Sequence, residues 1–236
     1  MNEANNFLIK ELKRESYLKS PRLVDAFLKI DRKNFVPREY AAEAYGNYPL
    51  PIGEGQTISQ PLTVAFMLEL LAPRLGDKIL EIGAGSGWQS ALIAYCVSAA
   101  RINADQNADK RGSSGHVVAI ERIPALKKMA ERNISKYNFI EKGIVRVILG
   151  DGSRGYPEDA PYDKIIAAAA GTEVPNAWKW QLKVGGRIVA PVGQSIIVLD
   201  KIPKRGVSAE GGPAFGWQEK EYFGFSFVPL IRENKE

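Results

Sequence analysis

The 236-residue chain is poor in two side chains that often carry catalysis or bind metals, since it has one cysteine and one histidine. The single cysteine, Cys96, excludes an internal disulfide and a zinc site built on cysteines. A Ser-His-Asp triad or a histidine-rich metal site would have to be built around His116. This histidine precedes an apolar run at 117–120 and is expected to flank a strand, so we expect no bound metal.

Long apolar runs are also missing. No stretch approaches the ~20 residues that a membrane-spanning helix needs, and residues 1–6 lack the pattern of a signal peptide. The net charge is +5, but lysine and arginine are spread along the chain, which is typical of a solvated surface. We therefore expect a cytoplasmic monomer that binds neither nucleic acid nor membrane.

What the chain does contain is the alternation of an α/β protein. Apolar runs predict strands, and segments of helical periodicity lie between them. The predicted strands cover 78–82, 116–120, 144–148, 163–169 and 186–192. The predicted helices cover 61–71, 88–98, 124–137 and 175–182, after a helical N-terminal extension. This order predicts a mostly parallel sheet with helices on both faces and a ligand at the carboxyl ends of the strands.

The length fits a single domain, which we expect to span 1–236. Its predicted parts are N-terminal helices with a substrate loop in 1–60, a cofactor-binding core in 61–200 and a strand region in 201–236. Polar or glycine-rich composition predicts surface loops at 98–115 and 204–216. A late apolar segment predicts a final strand at 222–231.

The most informative segment is a glycine-rich turn between a predicted strand and a predicted helix. It reads Glu81-Ile82-Gly83-Ala84-Gly85-Ser86-Gly87-Trp88-Gln89. Glycine can take positive φ and lets a ligand approach the backbone, while the helix start presents free N–H groups. The spacing is not G-x-G-x-x-G, since position 88 is Trp, and it resembles the first motif of S-adenosylmethionine (SAM) methyltransferases. A purely structural turn is the alternative.

Two acids follow later predicted strands. Glu121 ends the second strand, where a Rossmann-type site places an acid on the ribose hydroxyls, or it opens the next helix as a first-turn acid. Asp151 lies between Gly150 and Gly152 after the third strand, where it can reach an adenine amino group or form a simple turn. Both residues, with Gly152, are candidate cofactor contacts.

A second glycine-bordered loop precedes the sheet. Residues 53–61 read GEGQTISQP, and Ser59 before Pro61 is a good helix N-cap pattern. The hydroxyls of Thr57 and Ser59 also make the loop rich in donors that can hold a carboxylate. Capping and binding are compatible interpretations.

The chain resembles the protein-L-isoaspartate (D-aspartate) O-methyltransferases of the bacterial type over roughly residues 20–232. The 49–61 segment, PLPIGEGQTISQP, is similar to the loop that marks this family. The other segments that carry the resemblance are ERIPAL at 121–126, GDGS at 150–153, APYD at 160–163, QLKVGGR at 181–187 and FVPL at 227–230.

The resemblance implies a Rossmann-like SAM-dependent methyltransferase fold, SAM as methyl donor and isoaspartyl-containing polypeptides as substrate. It implies Ser59 as the active-site residue. Substrate contacts would fall on Thr57, Ile58, Ser59, Gln60, Val228 and Pro229. Cofactor contacts would fall on Glu81, Gly83, Ala84, Gly85, Gly87, Gln89, Glu121, Asp151 and Gly152.

The sequence departs from the family pattern at three places. Leu62 stands where an aromatic residue or histidine is common, 167–170 is an alanine run, and the 98–115 loop is long. Other readings therefore stay open: a carboxyl methyltransferase with another acceptor, or a SAM-binding module without repair activity. A nucleic-acid methyltransferase is disfavoured, because no Asp/Asn-Pro-Pro-aromatic motif follows the fourth strand and Cys96 lies in a predicted helix.

Overall fold

The computed structural model describes residues 3–98, 115–207 and 213–231. Its helices are α1 Glu3–Arg14, α2 Pro21–Lys29, α3 Pro61–Leu71, α4 Trp88–Val97, α5 Pro124–Ser135 and α6 Asn176–Gln181. Its strands are β1 Leu50–Gly53, β2 Gln56–Ile58, β3 Lys78–Ile82, β4 His116–Glu121, β5 Val145–Leu149, β6 Tyr162–Ala167, β7 Leu182–Val192, β8 Ser195–Val207 and β9 Pro213–Phe223. None of the helices in these ranges has the length and apolar character required to span a membrane.

The main sheet has seven strands in the order β5-β4-β3-β6-β7-β8-β9. The five strands from β5 to β7 are parallel neighbours, and β8 and β9 add antiparallel pairs at one side. Strand order reverses between β3 and β6, so the carboxyl ends of these strands open the crevice in which such folds bind ligands. Gly83 N donates to Ile120 O at 2.8 Å and Ala168 N to Ile82 O at 2.8 Å, which ties these strand ends together.

The sheet is covered on both faces, because its strands are apolar on both sides. Ile79 of β3 belongs to a buried cluster with α1 to α5, whereas the adjacent Leu80 belongs to a second cluster with Trp178 of α6. This confirms the predicted fold, a mostly parallel sheet with helices on both faces and an N-terminal helical extension. The predicted bounds of β3 and α3 agree with the structure, and the other core elements agree within a few residues.

The prediction was wrong for the last part of the chain. The final strand is Pro213–Phe223 and not 222–231, and most of the predicted 204–216 loop belongs to the β8–β9 hairpin, with 208–212 outside the described residues. β9 is at the edge of the sheet with polar side chains on its surface, so it lacks the apolar run that marks a buried strand. β8 does begin with a buried apolar run at 196–199, and the prediction missed it. The predicted 98–115 loop falls largely on 99–114, outside the described residues.

Candidate active site

A cavity of about 780 Å³ lies at the carboxyl ends of β3, β4 and β5 and is the right size for a small-molecule ligand. Most of its lining comes from three parts of the chain: the segment 56–64 that enters α3, the turns that follow the strands, and the segment 223–231 that begins at the end of β9. The chain thus brings a donor-rich loop and a glycine-rich loop to a single cavity.

The glycine-rich turn uses its three glycines in two ways. Gly83 and Gly85 line the cavity and have φ of +88° and +55°, a conformation that side chains disfavour. Gly87, with φ of +89°, is the N-cap residue of α4. A Cβ on Gly87 would lie 2.9 Å from Ile134 side-chain carbons, so this glycine allows α4 to pack closely on α5.

The two acids near this turn have different environments. Glu81 is fully buried beneath the turn, where it accepts hydrogen bonds from Gln89 Nε2 and Ser90 Oγ. Burial raises the pKa of Glu81 to about 8. Glu121 lines the cavity and accepts from Gly85 N at 2.9 Å and from Ile123 N at 3.0 Å.

The turn after β5 approaches the neighbouring strand closely. A Cβ on Gly152 would lie 2.5 Å from Ile82 Cγ2, so only glycine fits there without movement. Gly150 and Gly152 line the cavity, while Asp151 Oδ1 accepts from Ser153 N at 2.9 Å and caps the short turn at 152–154. Asp151 therefore shapes the cavity wall from a buried position.

The donor-rich loop passes from β2 into α3, and Thr57, Ile58, Ser59 and Gln60 all line the cavity. The prediction that Ser59 caps α3 was wrong, because the N-cap residue is Gln60. The cap is supplied at long range: Asn47 Oδ1 accepts from Leu62 N at 3.0 Å. Ser59 is thus one residue before the N-cap, at the cavity wall.

The two scarce residues lie apart from this cavity. His116 is the first residue of β4 and lies at the opposite end of that strand from Glu121. Cys96 is buried in α4, where burial raises the pKa of its thiol to about 12. The arrangement offers donors and a shaped pocket, and none of the described residues that line the cavity is a histidine or a cysteine.

Residues 2–230 match the protein family described as Protein-L-isoaspartate(D-aspartate) O-methyltransferase. The chain belongs to this family. A Methanopyrus kandleri protein-L-isoaspartate O-methyltransferase is 40% identical over 234 residues, covering 98% of this chain and 92% of the relative. The Ignicoccus hospitalis protein of the same name is 42% identical over 235 residues, covering 99% and 100%. Such archaeal relatives do not support the narrower expectation of a bacterial-type member.

Solved structures agree with the family fold. A structure named protein-L-isoaspartate O-methyltransferase superposes with a TM-score of 0.69 at 27% identity, over 96% of this chain and 67% of that one. A Plasmodium falciparum beta-aspartate methyltransferase in complex with S-adenosyl-L-homocysteine gives a TM-score of 0.76 over 96% of this chain and 97% of that one, and at 19% identity it shows the fold alone.

The cavity suits the SAM donor of this family. Its wall combines the positive-φ glycines Gly83 and Gly85 with the carboxylate of Glu121, which can accept hydrogen bonds from ribose hydroxyls. Ala84, Gln89 and Gly152 also line it, together with the predicted substrate contacts Val228 and Pro229. The structure places Glu81, Gly87 and Asp151 behind this wall, in supporting positions.

Sequence reasoning missed most of one wall of the cavity. Residues 223–227 line it, and Phe223 is 76% exposed at the mouth. The segment is held beside β6 because Ala170 N donates to Val228 O at 2.8 Å and Leu230 N to Ala170 O at 2.7 Å. Both hydrogen bonds join residues far apart in the chain, so the apolar pattern of 222–231 could not predict them.

Proposed function

We propose that the chain transfers a methyl group from SAM to the free carboxylate of L-isoaspartyl residues in polypeptides, with Ser59 orienting that carboxylate. The observation that carries the proposal is that residues 57–60 and the turn at 83–85 line the same cavity in a member of this family. Donor and acceptor can therefore meet inside one pocket. The methyl ester then cyclises to a succinimide without the enzyme, and hydrolysis returns some normal aspartate.

One wall of the cavity would bind SAM, and another wall would bind the acceptor carboxylate. SAM supplies an electrophilic methyl group when it is bound. In this proposal Glu121 receives the ribose hydroxyls and the backbone at 83–85 forms the floor. Asp151 is not itself in the lining but lies between the lining residues Gly150 and Gly152, and it would turn one carboxylate oxygen between them to receive the adenine amino group. The acceptor carboxylate is already ionised at neutral pH, so the chain needs no general base. Its task is to align oxygen with methyl and to exclude water.

Thr57 and Ser59 supply the donors on the acceptor side. A hydroxyl that donates to a carboxylate makes a charge-assisted hydrogen bond, which fixes one oxygen in direction. Ile58, Gln60, Val228 and Pro229 line the same region and would contact the polypeptide around the damaged residue. The walls here are partly apolar, which favours a reaction in which carboxylate and sulfonium charges neutralise each other.

Four further properties belong to the same proposal. We propose that the chain works as a single methyltransferase domain and a monomer, that it acts in the cytoplasm, and that it binds neither nucleic acid nor membrane. The length supports a single domain, the single cysteine supports the cytoplasm, and the dispersed charge supports the absence of nucleic-acid binding. D-aspartyl residues are proposed as a second acceptor.

The deciding experiment measures transfer of labelled methyl from SAM to synthetic peptides that differ at one residue only. One peptide carries L-isoaspartate, its matched control carries L-aspartate, and a third carries D-aspartate. We expect label on the isoaspartyl peptide and none on the aspartyl control. Label on both, or on neither while SAM binds normally, would move the assignment to another carboxylate acceptor or to a binding module.

A further inference from the structure

A buried cation lies behind the acceptor loop. Arg32 begins a short turn after α2 and is 1% exposed. Its Nη1 donates to Ala44 O at 2.8 Å and to Gly46 O at 3.4 Å. Its Nη2 donates to Tyr48 O and to Ser59 O, both at 3.1 Å. One guanidinium thus donates hydrogen bonds to four main-chain carbonyls of a segment that ends at Ser59, the proposed catalytic residue.

These partners are unusual for a buried charge, since all of them are neutral. Among the ion pairs of the described residues, none includes Arg32. Burial lowers the pKa of Arg32 to about 10, so the side chain is still charged at neutral pH. Four carbonyl dipoles of the segment 44–59 stabilise the buried charge of Arg32, because they all point at the guanidinium. The conformation of this segment therefore depends on Arg32.

The same guanidinium also touches the donor side of the cavity. Its central carbon lies 5.3 Å from the ring centroid of Trp88, within the range of a cation–π contact. Trp88 is the first residue of α4, directly after the glycine turn, and it lines the cavity. Phe27 packs edge-to-face on this ring at 5.5 Å, which holds the ring from the side of α2.

The turn that carries Arg32 is bound both to the segment that Arg32 holds and to the body of the fold. Asp31 Oδ1 accepts from Lys33 N at 2.9 Å and from Tyr45 Oη at 2.8 Å. Asp31 N in turn donates to the hydroxyl of Tyr137, beyond the end of α5, at 2.9 Å. The turn is therefore anchored to the α5 side of the molecule.

We propose that Arg32 is a positioning residue that sets the distance between Ser59 and the donor wall of the cavity. It acts through the Ser59 carbonyl on one side and the Trp88 ring on the other, without touching either reactant. In-line transfer is sensitive to such spacing, since a displacement of about 1 Å can lower a rate ~100-fold. The inference rests on the proposed function.

The test compares Arg32→Met and Arg32→Lys with Lys164→Met. Lys164 is a matched control, because its Nζ donates to two main-chain carbonyls, Leu71 O and Ala72 O, both at 2.7 Å, away from the cavity. For each variant we would measure kcat and KM for the isoaspartyl peptide, SAM affinity by calorimetry, and Tm.

We expect Arg32→Met to lower kcat/KM at least about tenfold and to raise the peptide KM, while SAM affinity stays within about threefold. Arg32→Lys keeps the charge but reaches fewer carbonyls, so it should fall between Arg32→Met and the unmodified chain. Lys164→Met should lower Tm and leave kcat/KM unchanged. A folded Arg32 variant with unchanged kcat and KM, or one that loses SAM affinity as much as activity, would overturn the proposal.

If Arg32→Met does not fold, amide hydrogen exchange in Arg32→Lys provides a second test. In Arg32→Lys, the amides of 44–60 should exchange faster than in the unmodified chain, while those of β3 and β4 stay unchanged. Equal exchange over 44–60 would overturn the role of Arg32. Failure of the unmodified chain to methylate the isoaspartyl peptide would instead contradict the proposed function, so the two failures can be told apart.

Discussion

At the scale of single residues, the site separates side chains that face the cavity from side chains that shape it. Ser59 and Glu121 line the cavity, whereas Glu81, Gly87 and Asp151 hold its wall from behind. Both groups follow from the same short motifs. Whether a side chain faces the cavity or the protein interior depends on the side of the turn from which it projects. Substitutions in the first group should therefore change activity or ligand affinity, and those in the second group should change stability, with Asp151 expected to affect both.

Ser59→Ala should reduce turnover of the isoaspartyl peptide about 10- to 100-fold, because it removes one hydrogen bond to a charged group. Since the α3 cap comes from Asn47, Tm should stay close to that of the unmodified chain. SAM affinity measured by calorimetry should also be unchanged. Ser135→Ala, at the end of α5, is the control for a lost hydroxyl. An unchanged kcat in Ser59→Ala would exclude the assigned role.

Asp151→Asn separates the cap of the turn from the proposed adenine contact. The amide oxygen of Asn can still accept from Ser153 N, so Tm should be retained. The amide NH₂ would replace an acceptor oxygen with a donor, and SAM affinity should fall about tenfold because the adenine amino group also donates. Asp151→Ala should lower Tm as well, through loss of the cap. Retained SAM affinity in Asp151→Asn would refute the contact.

At the scale of elements, the contact between the start of α4 and α5 depends on one missing side chain. Gly87 has both a positive φ and a neighbour at 2.9 Å from its ideal Cβ. Gly53, in the β1–β2 hairpin, has a similar φ of +90°, but nothing lies within 4 Å of its ideal Cβ. Comparing alanine substitutions at Gly87 and Gly53 therefore separates the cost of a positive φ from the cost of a steric clash at Cβ.

Gly87→Ala should destabilise the protein by about 2–5 kcal/mol, the sum of a left-handed backbone and overpacking. Gly53→Ala should lower the free energy of unfolding by only about 1–2 kcal/mol, through the backbone term. Denaturant unfolding of both variants would measure the difference. Equal losses would show that α5 moves freely away from Gly87, and the packing explanation would then fail.

The elements that sequence could predict are those with a buried apolar run. β3 and α3 have the predicted bounds, because each is a short apolar segment with a clear start and stop. β9 was missed because its exposed, charged residues resemble a loop, while the buried apolar run at 196–199 in β8 is an exception that the prediction overlooked. The chain after Phe223 was predicted as strand, yet it is held by isolated bonds to Gln194 and to Ala170, which follows the end of β6.

At the scale of the whole molecule, one buried acid should make stability depend on pH. The carboxyl of Glu81 has neutral hydrogen-bond partners, and burial, with a smaller contribution from the Glu121 carboxylate, raises its pKa from the ordinary 4.5 to about 8. Between these two values the folded state holds a proton that the unfolded state has lost. The free energy of unfolding therefore decreases as pH rises from about 4.5 to 8. Below about pH 4.5 the carboxyl is protonated in both states, so the protein has its full stability with respect to this group.

Glu81→Gln cannot ionise and should flatten this dependence. We expect the fall in Tm between pH 5 and pH 8 to be smaller in Glu81→Gln than in the unmodified chain, in the window that the raised pKa defines. Glu141→Gln, on the surface, serves as the control for the loss of a carboxylate. Parallel Tm curves for Glu81→Gln and the unmodified chain would contradict the buried-acid explanation.

Several parts of this protein follow from short stretches of sequence: apolar runs that become buried strands, glycines that allow a sharp turn, and a ligand at the strand ends. Such features depend on neighbours within a few residues, so their spacing is sufficient evidence. Which distant residues meet depends instead on how the folded elements pack together. Arg32 binds the Ser59 carbonyl 27 residues away, and Asn47 caps a helix whose own sequence predicted a different cap. Both arrangements satisfy polar groups that folding buries, and no periodicity in the chain encodes them.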